Sequence, residues 1–150
     1  MSAKRLDVWR RAKDFALKIY REVLPLLPAE EKWVLNQQIR RSSTSISANI
    51  AEGHGRFYYQ DNVRFCYIAR GSLEETLSHL TFIYEAGFIS AEVYSTIEKE
   101  GEEIGKMLNG YIAYIKKTKQ GENEPGITVR EEPETYITHF DEAESDFSAL

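Results

Sequence analysis

Glu75 and His79 stand four residues apart, which on a helix puts a carboxylate and an imidazole on one face. Di-iron bundles, however, take Glu-x-x-His, three apart, from each of two helices. His54, Cys66, His79 and His139 are otherwise scattered, and neither CxxC nor HExxH occurs. Gly53-His54-Gly55 reads as a helix break, because the chain has no GxxxxGK[ST] loop and no strand followed by GxGxxG. Gly101-x-x-x-Gly105 reads as a point of close helix contact; Glu100, Glu102 and Glu103 beside it argue against a membrane dimer. Cys66, the single cysteine, is expected as inert filling at the edge of a buried stripe. No nucleophile–base pair stands out. The expectation is a non-enzyme with no metal and no cofactor.

What chemistry remains is charge. Residues 1–121 carry 18 Lys/Arg against 15 Asp/Glu, whereas residues 122–150 carry Arg130 alone against nine acids. A mildly basic body thus precedes a strongly acidic tail, with the boundary near Gly121. The basic excess is densest at the start, with seven basic and three acidic side chains in residues 1–24. Such a face suits phosphate contacts that read no bases. The candidate nucleic-acid contacts are Lys4, Arg5, Arg10, Lys13, Arg21 and Arg41. Arg56, Arg64 and Arg70 form no single stripe: on a helical wheel Arg64 and Arg70 flank opposite sides of their helix's apolar face.

Four helices must position these residues. Val8, Ala12, Phe15, Ile19 and Val23 recur at the spacing of one helix face, and Pro25 and Pro28 end that helix. A second stripe runs Leu35, Ile39, Ser42, Ile46 and Ile50 and stops at Gly53-His54-Gly55, where a left-handed glycine is expected to close the helix. A third runs Phe65, Ala69, Ser72, Thr76, Leu80 and Ile83 and stops at Gly87. Ser90 is the expected N-cap of a fourth: Val93, Ile97, Gly101, Ile104, Leu108, Ile112 and Ile115. The predicted fold is all-α: residues 1–121 form an antiparallel, up-down-up-down four-helix bundle of helices about 20–30 residues long. Residues 122–150, with Pro125, Gly126 and Pro133, are expected to be extended or disordered when unbound. Their charge suits folding over the basic face of the first helix; Tyr136, Phe140 and Phe147 suit docking to a partner.

The second helix carries SSTSISA at 42–48, poor helix formers that close packing must justify. Opposite its core stripe lie Gln37, Arg41, Thr44, Ser45, Ala48 and Glu52, a small and nearly uncharged face that a second copy can pack on. Gln37, Thr44, Ser45 and Ala48 are the candidate oligomer contacts. Asn49, at the edge of the stripe, is expected to hydrogen-bond to the third helix.

The chain has 150 residues, 42% hydrophobic, 29% charged and 12% aromatic, enough for one domain with a core. No stretch of about 18 uncharged apolar residues occurs, so no membrane span is expected. MSAKRLDVWRRAKDF lacks the apolar run of a signal peptide, and one cysteine fits a reducing cytoplasm.

QIRRSSTSISANIAEGHGR at 38–56 and RFCYIARGSL at 64–73, with LDVWRRA at 6–12 and EEIGKMLNGYI at 102–112, resemble the bacterial 23S rRNA intervening sequence protein family. The resemblance covers about residues 6–117 in order and spacing. It implies a four-helix bundle that assembles as a homopentamer. Some members of that family are encoded within insertions in 23S rRNA genes. The family is similar in fold to the accessory variability protein of diversity-generating retroelements, a basic pentamer that binds nucleic acid and partners a reverse transcriptase. The expected function is therefore a homopentameric adaptor that binds nucleic acid (RNA included), beside a reverse transcriptase or other protein partner. The alternative is a protein-interaction scaffold that touches no nucleic acid, which the net charge of −5 favours.

Overall fold

The computed structural model describes residues 2–121. The acidic tail, with its expected extended state, lies outside the described residues. Four helices carry the fold: α1 (Asp7–Glu22), α2 (Leu35–His54), α3 (Tyr59–Glu85) and α4 (Ala91–Thr118). The described residues contain no strand. Short 3-10 turns precede α1 and join α1 to α2. At 16 residues, α1 is shorter than expected. Its ladder ends at Glu22, just before the turn that holds Pro25.

Each stripe faces inward. Ala12, Phe15, Ile19, Ile39, Ile46, Ile50, Leu73, Leu80, Ile83, Ile97, Ile104 and Leu108 are nearly or wholly buried in one core. Phe65 and Val93, at the ends of their stripes, are half-buried. Residues joined between helices run in opposite directions along the chain. Ser42 meets Thr76 and Ser45 meets Ser72, so α2 and α3 are antiparallel. Arg70 meets Asn109 and Tyr67 meets Lys116, which makes α3 and α4 antiparallel too.

The small residues of α2 lie where close packing requires them. Ser42 and Ser43 are fully buried, and a Cβ on Gly53 would come within 2.8 Å of both Asn62 Oδ1 and Phe65 Cβ of α3. Gly101 packs likewise: an added Cβ would meet Leu77 Cδ2 at 2.6 Å.

Two local expectations are corrected. Gly55 has φ −75 and ψ −10, an ordinary right-handed conformation, so no left-handed glycine closes α2. Its amide bonds back to Ala51 and the chain turns over four residues into α3. The glycine that the close approach requires is Gly53, within the last turn. Asn49 bonds not to α3 but to its own helix, donating to the Ser45 carbonyl and hydroxyl, both at 2.8 Å. Ser45 in turn reaches Ser72 of α3 at 3.0 Å. The other two helix ends match their signals: Ser90 accepts from Val93 N–H at 3.2 Å, and Gly87 has φ +84.

Candidate nucleic-acid and self-association surfaces

The outward face of α1 carries its cations as the periodicity predicts, but several are already matched by acids. Arg10 pairs with Asp7 three residues back, and Lys13 lies 3.0 Å from Asp14. Arg11 reaches Glu103 and Lys18 reaches Glu100 across the α1–α4 groove, at 2.7 and 2.6 Å. The bond to Glu100 holds the Lys18 ammonium above its usual range, against the opposing cost of burial. Lys4, Arg5 and Arg21 are exposed and have no carboxylate partner among the described residues. Arg41 lies away from that set, on α2, where it pairs with Glu75 of α3. The six candidate contacts are thus split: five on α1 and the turn before it, one on the α2–α3 face.

Gln37, Thr44 and Ala48 are exposed on the outside of α2, as a packing face requires. Ser45 is half-buried and points into the α2–α3 seam, so its hydroxyl serves the fold. Sequence reasoning missed two residues that extend the same surface. Ile68 and Phe82 of α3 are 46% and 60% exposed. They stand fourteen residues apart, about four turns, on the side of α3 that carries Glu75 and so adjoins Arg41. Their apolar character off the core stripe was the available signal.

Glu75 and His79 come together without forming a metal centre. Glu75 takes Arg41, while His79 Nε2 stands 3.5 Å from Glu75 Oε1 and makes no hydrogen bond among the described residues. No group of three or more His, Cys, Asp or Glu among the described residues is placed to hold a metal ion.

At the α2–α3 end of the bundle, polar groups converge on Tyr111 of α4. His54 Nδ1 lies 3.3 Å from the Tyr111 hydroxyl, and Asn62 Nδ2 donates to it at 3.4 Å. Burial pushes the Tyr111 hydroxyl up, and the bond from Asn62 opposes that. Cys66 donates to Asn62 Oδ1 at 3.7 Å. Desolvation pushes its thiol up to about 12, the environment of an inert sulfur. The network ties three helices together and leaves no activated nucleophile. Glu52 and Arg56, 2.7 Å apart, close the same end from outside.

Four helices with a hydrogen-bonded α2–α3 seam and a charged α1–α4 groove define a helical-bundle protein. The chain belongs to the 23S rRNA-intervening sequence protein family, whose model matches residues 4–110. A solved structure from Bacteroides thetaiotaomicron VPI-5482, described as a protein with unknown function from the S23 ribosomal protein family, is similar at 32% identity and a TM-score of 0.65. The match covers 70% of this chain and 97% of that one. No curated protein matches significantly. Neither description names an enzyme activity. No helix among the described residues is long and apolar enough to cross a membrane.

Proposed function

We propose that this chain is a non-enzymatic adaptor that assembles with copies of itself, as a homopentamer, and binds nucleic acid through exposed cations. The phosphate contacts are Lys4, Arg5, Arg10, Lys13 and Arg21, with Arg41 supplied from α2. One observation carries the reading: Lys4, Arg5 and Arg21 lie exposed at both ends of α1 with no carboxylate in ion-pair contact among the described residues. The ion pairs at Arg10 and Lys13 are surface pairs worth about 0–1 kcal/mol, which a phosphate can replace. Assembly uses the outer face of α2, Gln37, Thr44 and Ala48, continued by Ile68 and Phe82 of α3. Exposed apolar side chains beside a small, weakly charged helix face suit a second helix surface. The family resemblance read from the sequence supports five copies, the similarity of that family's fold to the retroelement accessory protein supports a reverse transcriptase or structured RNA as companion, and the single cysteine fits a cytoplasmic setting.

The test is fluorescence anisotropy of the full chain with a structured RNA and a duplex DNA at about 50 and 200 mM salt, alongside light scattering of wild type and Ala48→Leu. Phosphate contacts predict a loss of about tenfold or more in affinity across that range. A lowered mass for Ala48→Leu is expected from a wedge in the interface. Absence of binding to either nucleic acid at both salts would sink the nucleic-acid reading and leave a scaffold for a protein partner.

A further inference from the structure

Most cations whose side chains are held in place on this bundle sit beside a carboxylate. Arg10, Arg11, Lys13, Lys18, Arg41 and Arg56 all do. Arg40 and Lys32 lie instead over Tyr20 and Trp33, and one pair of cations without a carboxylate, Arg70 of α3 and Lys116 of α4, shares a single ring. Both converge on Tyr67: the guanidinium carbon lies 5.0 Å from the ring centroid and the ammonium 5.6 Å, and Lys116 also donates to the Tyr67 hydroxyl at 3.0 Å. Arg70 completes its contacts by donating to Asn109 Oδ1 at 3.2 Å. Neither cation has a carboxylate within ion-pair distance among the described residues, although both are half-buried. Two cations held on one ring repel each other, and an anion between them relieves that repulsion. Lys106 and Lys117, exposed on the same half of α4, add to the positive field.

The chain carries its own supply of anions close by. Residues 122–150 begin six positions beyond Lys116 and hold nine acids against one base. They start from a fixed point. Tyr59 N–H of α3 donates to the Gln120 carbonyl at 2.9 Å, and Gly121, with φ +86, packs against Tyr58 and the Phe57 carbonyl. A short tether of this kind gives its acids an effective concentration in the millimolar range, beyond that of most free anions. From Lys106 to Thr118, where α4 ends, is about 18 Å of helix. About six extended residues cover that distance, so the stretch from Glu122 to Glu134 is long enough to run along the α3–α4 seam.

We propose that the α3–α4 seam centred on Tyr67, with Arg70 and Lys116, is the docking site of the chain's own acidic segment, residues 122–150. The seam is separate from the α1 cations, so this inference stands whether or not the chain binds nucleic acid. Carbodiimide cross-linking of the full chain tests it, since that reagent joins an ammonium only to a carboxylate already in contact. An equal mixture of light and isotope-labelled chains separates links within a chain from links between chains, and peptide mass spectrometry locates them. The Lys18–Glu100 contact at 2.6 Å serves as the internal control for a folded bundle. The expected result is a dominant link within one chain from Lys116 to an acid between Glu122 and Glu134. Arg70→Gln is expected to lower it about threefold, within the range that loss of one exposed charge pair gives, while leaving the Lys18–Glu100 link unchanged. Linking of Lys116 to the acidic segment no stronger than that of Lys4 or Lys13 would overturn the proposal. So would links that form only between light and heavy chains.

Discussion

The Thr76 hydroxyl donates to Ser42 Oγ at 2.9 Å in a place where both residues are fully buried. It is the inner member of a polar seam that continues one turn on as Ser45 to Ser72, at 3.0 Å. A helix pair that packs apolar ridges alone tolerates small sliding movements. This pair also has hydroxyls that meet across the seam in the present register, beside bonds to their own helices such as that of Thr76 Oγ1 to the Ser72 carbonyl at 2.8 Å.

Removing one side of that bond therefore costs more than removing both. Thr76→Val keeps the shape but leaves the Ser42 hydroxyl with only a long contact, 3.4 Å, to the Ile39 carbonyl of its own helix. We expect Thr76→Val to lose about 1–3 kcal/mol in urea denaturation, and the double variant Ser42→Ala/Thr76→Val to recover much of it. A double variant less stable than the sum of the two single losses would refute a shared hydrogen bond as the cause.

Two helical glycines are expected to respond with opposite signs to the same change. Gly53→Ala places a Cβ within 2.8 Å of Asn62 Oδ1 and Phe65 Cβ and 2.9 Å from the Asn62 carbonyl. Backbone cannot turn aside, so a loss of about 1–3 kcal/mol follows. Gly110→Ala, on α4, meets nothing within 4 Å. There the gain is the helix propensity of alanine, about 0.8–1 kcal/mol. Thermal melts of both variants read the two signs directly.

Cys66 makes stability sensitive to alkali. Its thiol keeps a proton up to about 12 in the folded chain, against an ordinary value of 9.0. Because the folded value is the higher, this contribution is intact below about pH 9 and is lost as pH rises toward about 12, with a slope of at most about 1.4 kcal/mol per pH unit. Urea midpoints that fall less steeply above pH 9 for Cys66→Ala than for wild type are the expected outcome. Native protein is also expected to resist a thiol reagent near pH 8 and to react once unfolded. Rapid stoichiometric labelling of the native chain would contradict the burial.

Much of the fold was legible because apolar residues three and four apart name a helix face without reference to any partner. Ser90 and Gly87 marked their ends by local chemistry alone. The small run SSTSISA was legible as a packing demand, and the seam of Ser42 and Thr76 meets it. What escaped was mostly long-range. Arg41 reads as a free cation until α3 brings Glu75, 34 residues away, beside it. Arg11 acquires Glu103 from 92 residues on. Arg10 with Asp7 and Lys13 with Asp14, by contrast, are close enough in the chain for their pairing to be visible in the sequence. The glycines of the stretch ending in Arg56 invited a cap reading, yet Gly53 serves a backbone approach and Gly55 an ordinary turn. Ser45 divided differently again: its wheel position is outward-leaning, and only the approach of Ser72 draws it inside.

The unequal ties of α1 and α2 have a kinetic consequence. Besides its buried stripe, α1 is joined to α4 by two charged contacts at the surface, Arg11 to Glu103 and Lys18 to Glu100, each of a kind that contributes little. The α2–α3 pair is locked by internal hydroxyls and by the backbone approach at Gly53. Hydrogen–deuterium exchange is thus expected to reach the amides of the first helix before those of the central hairpin. On that expectation the segment richest in cations is also the one released at the least cost to the remainder.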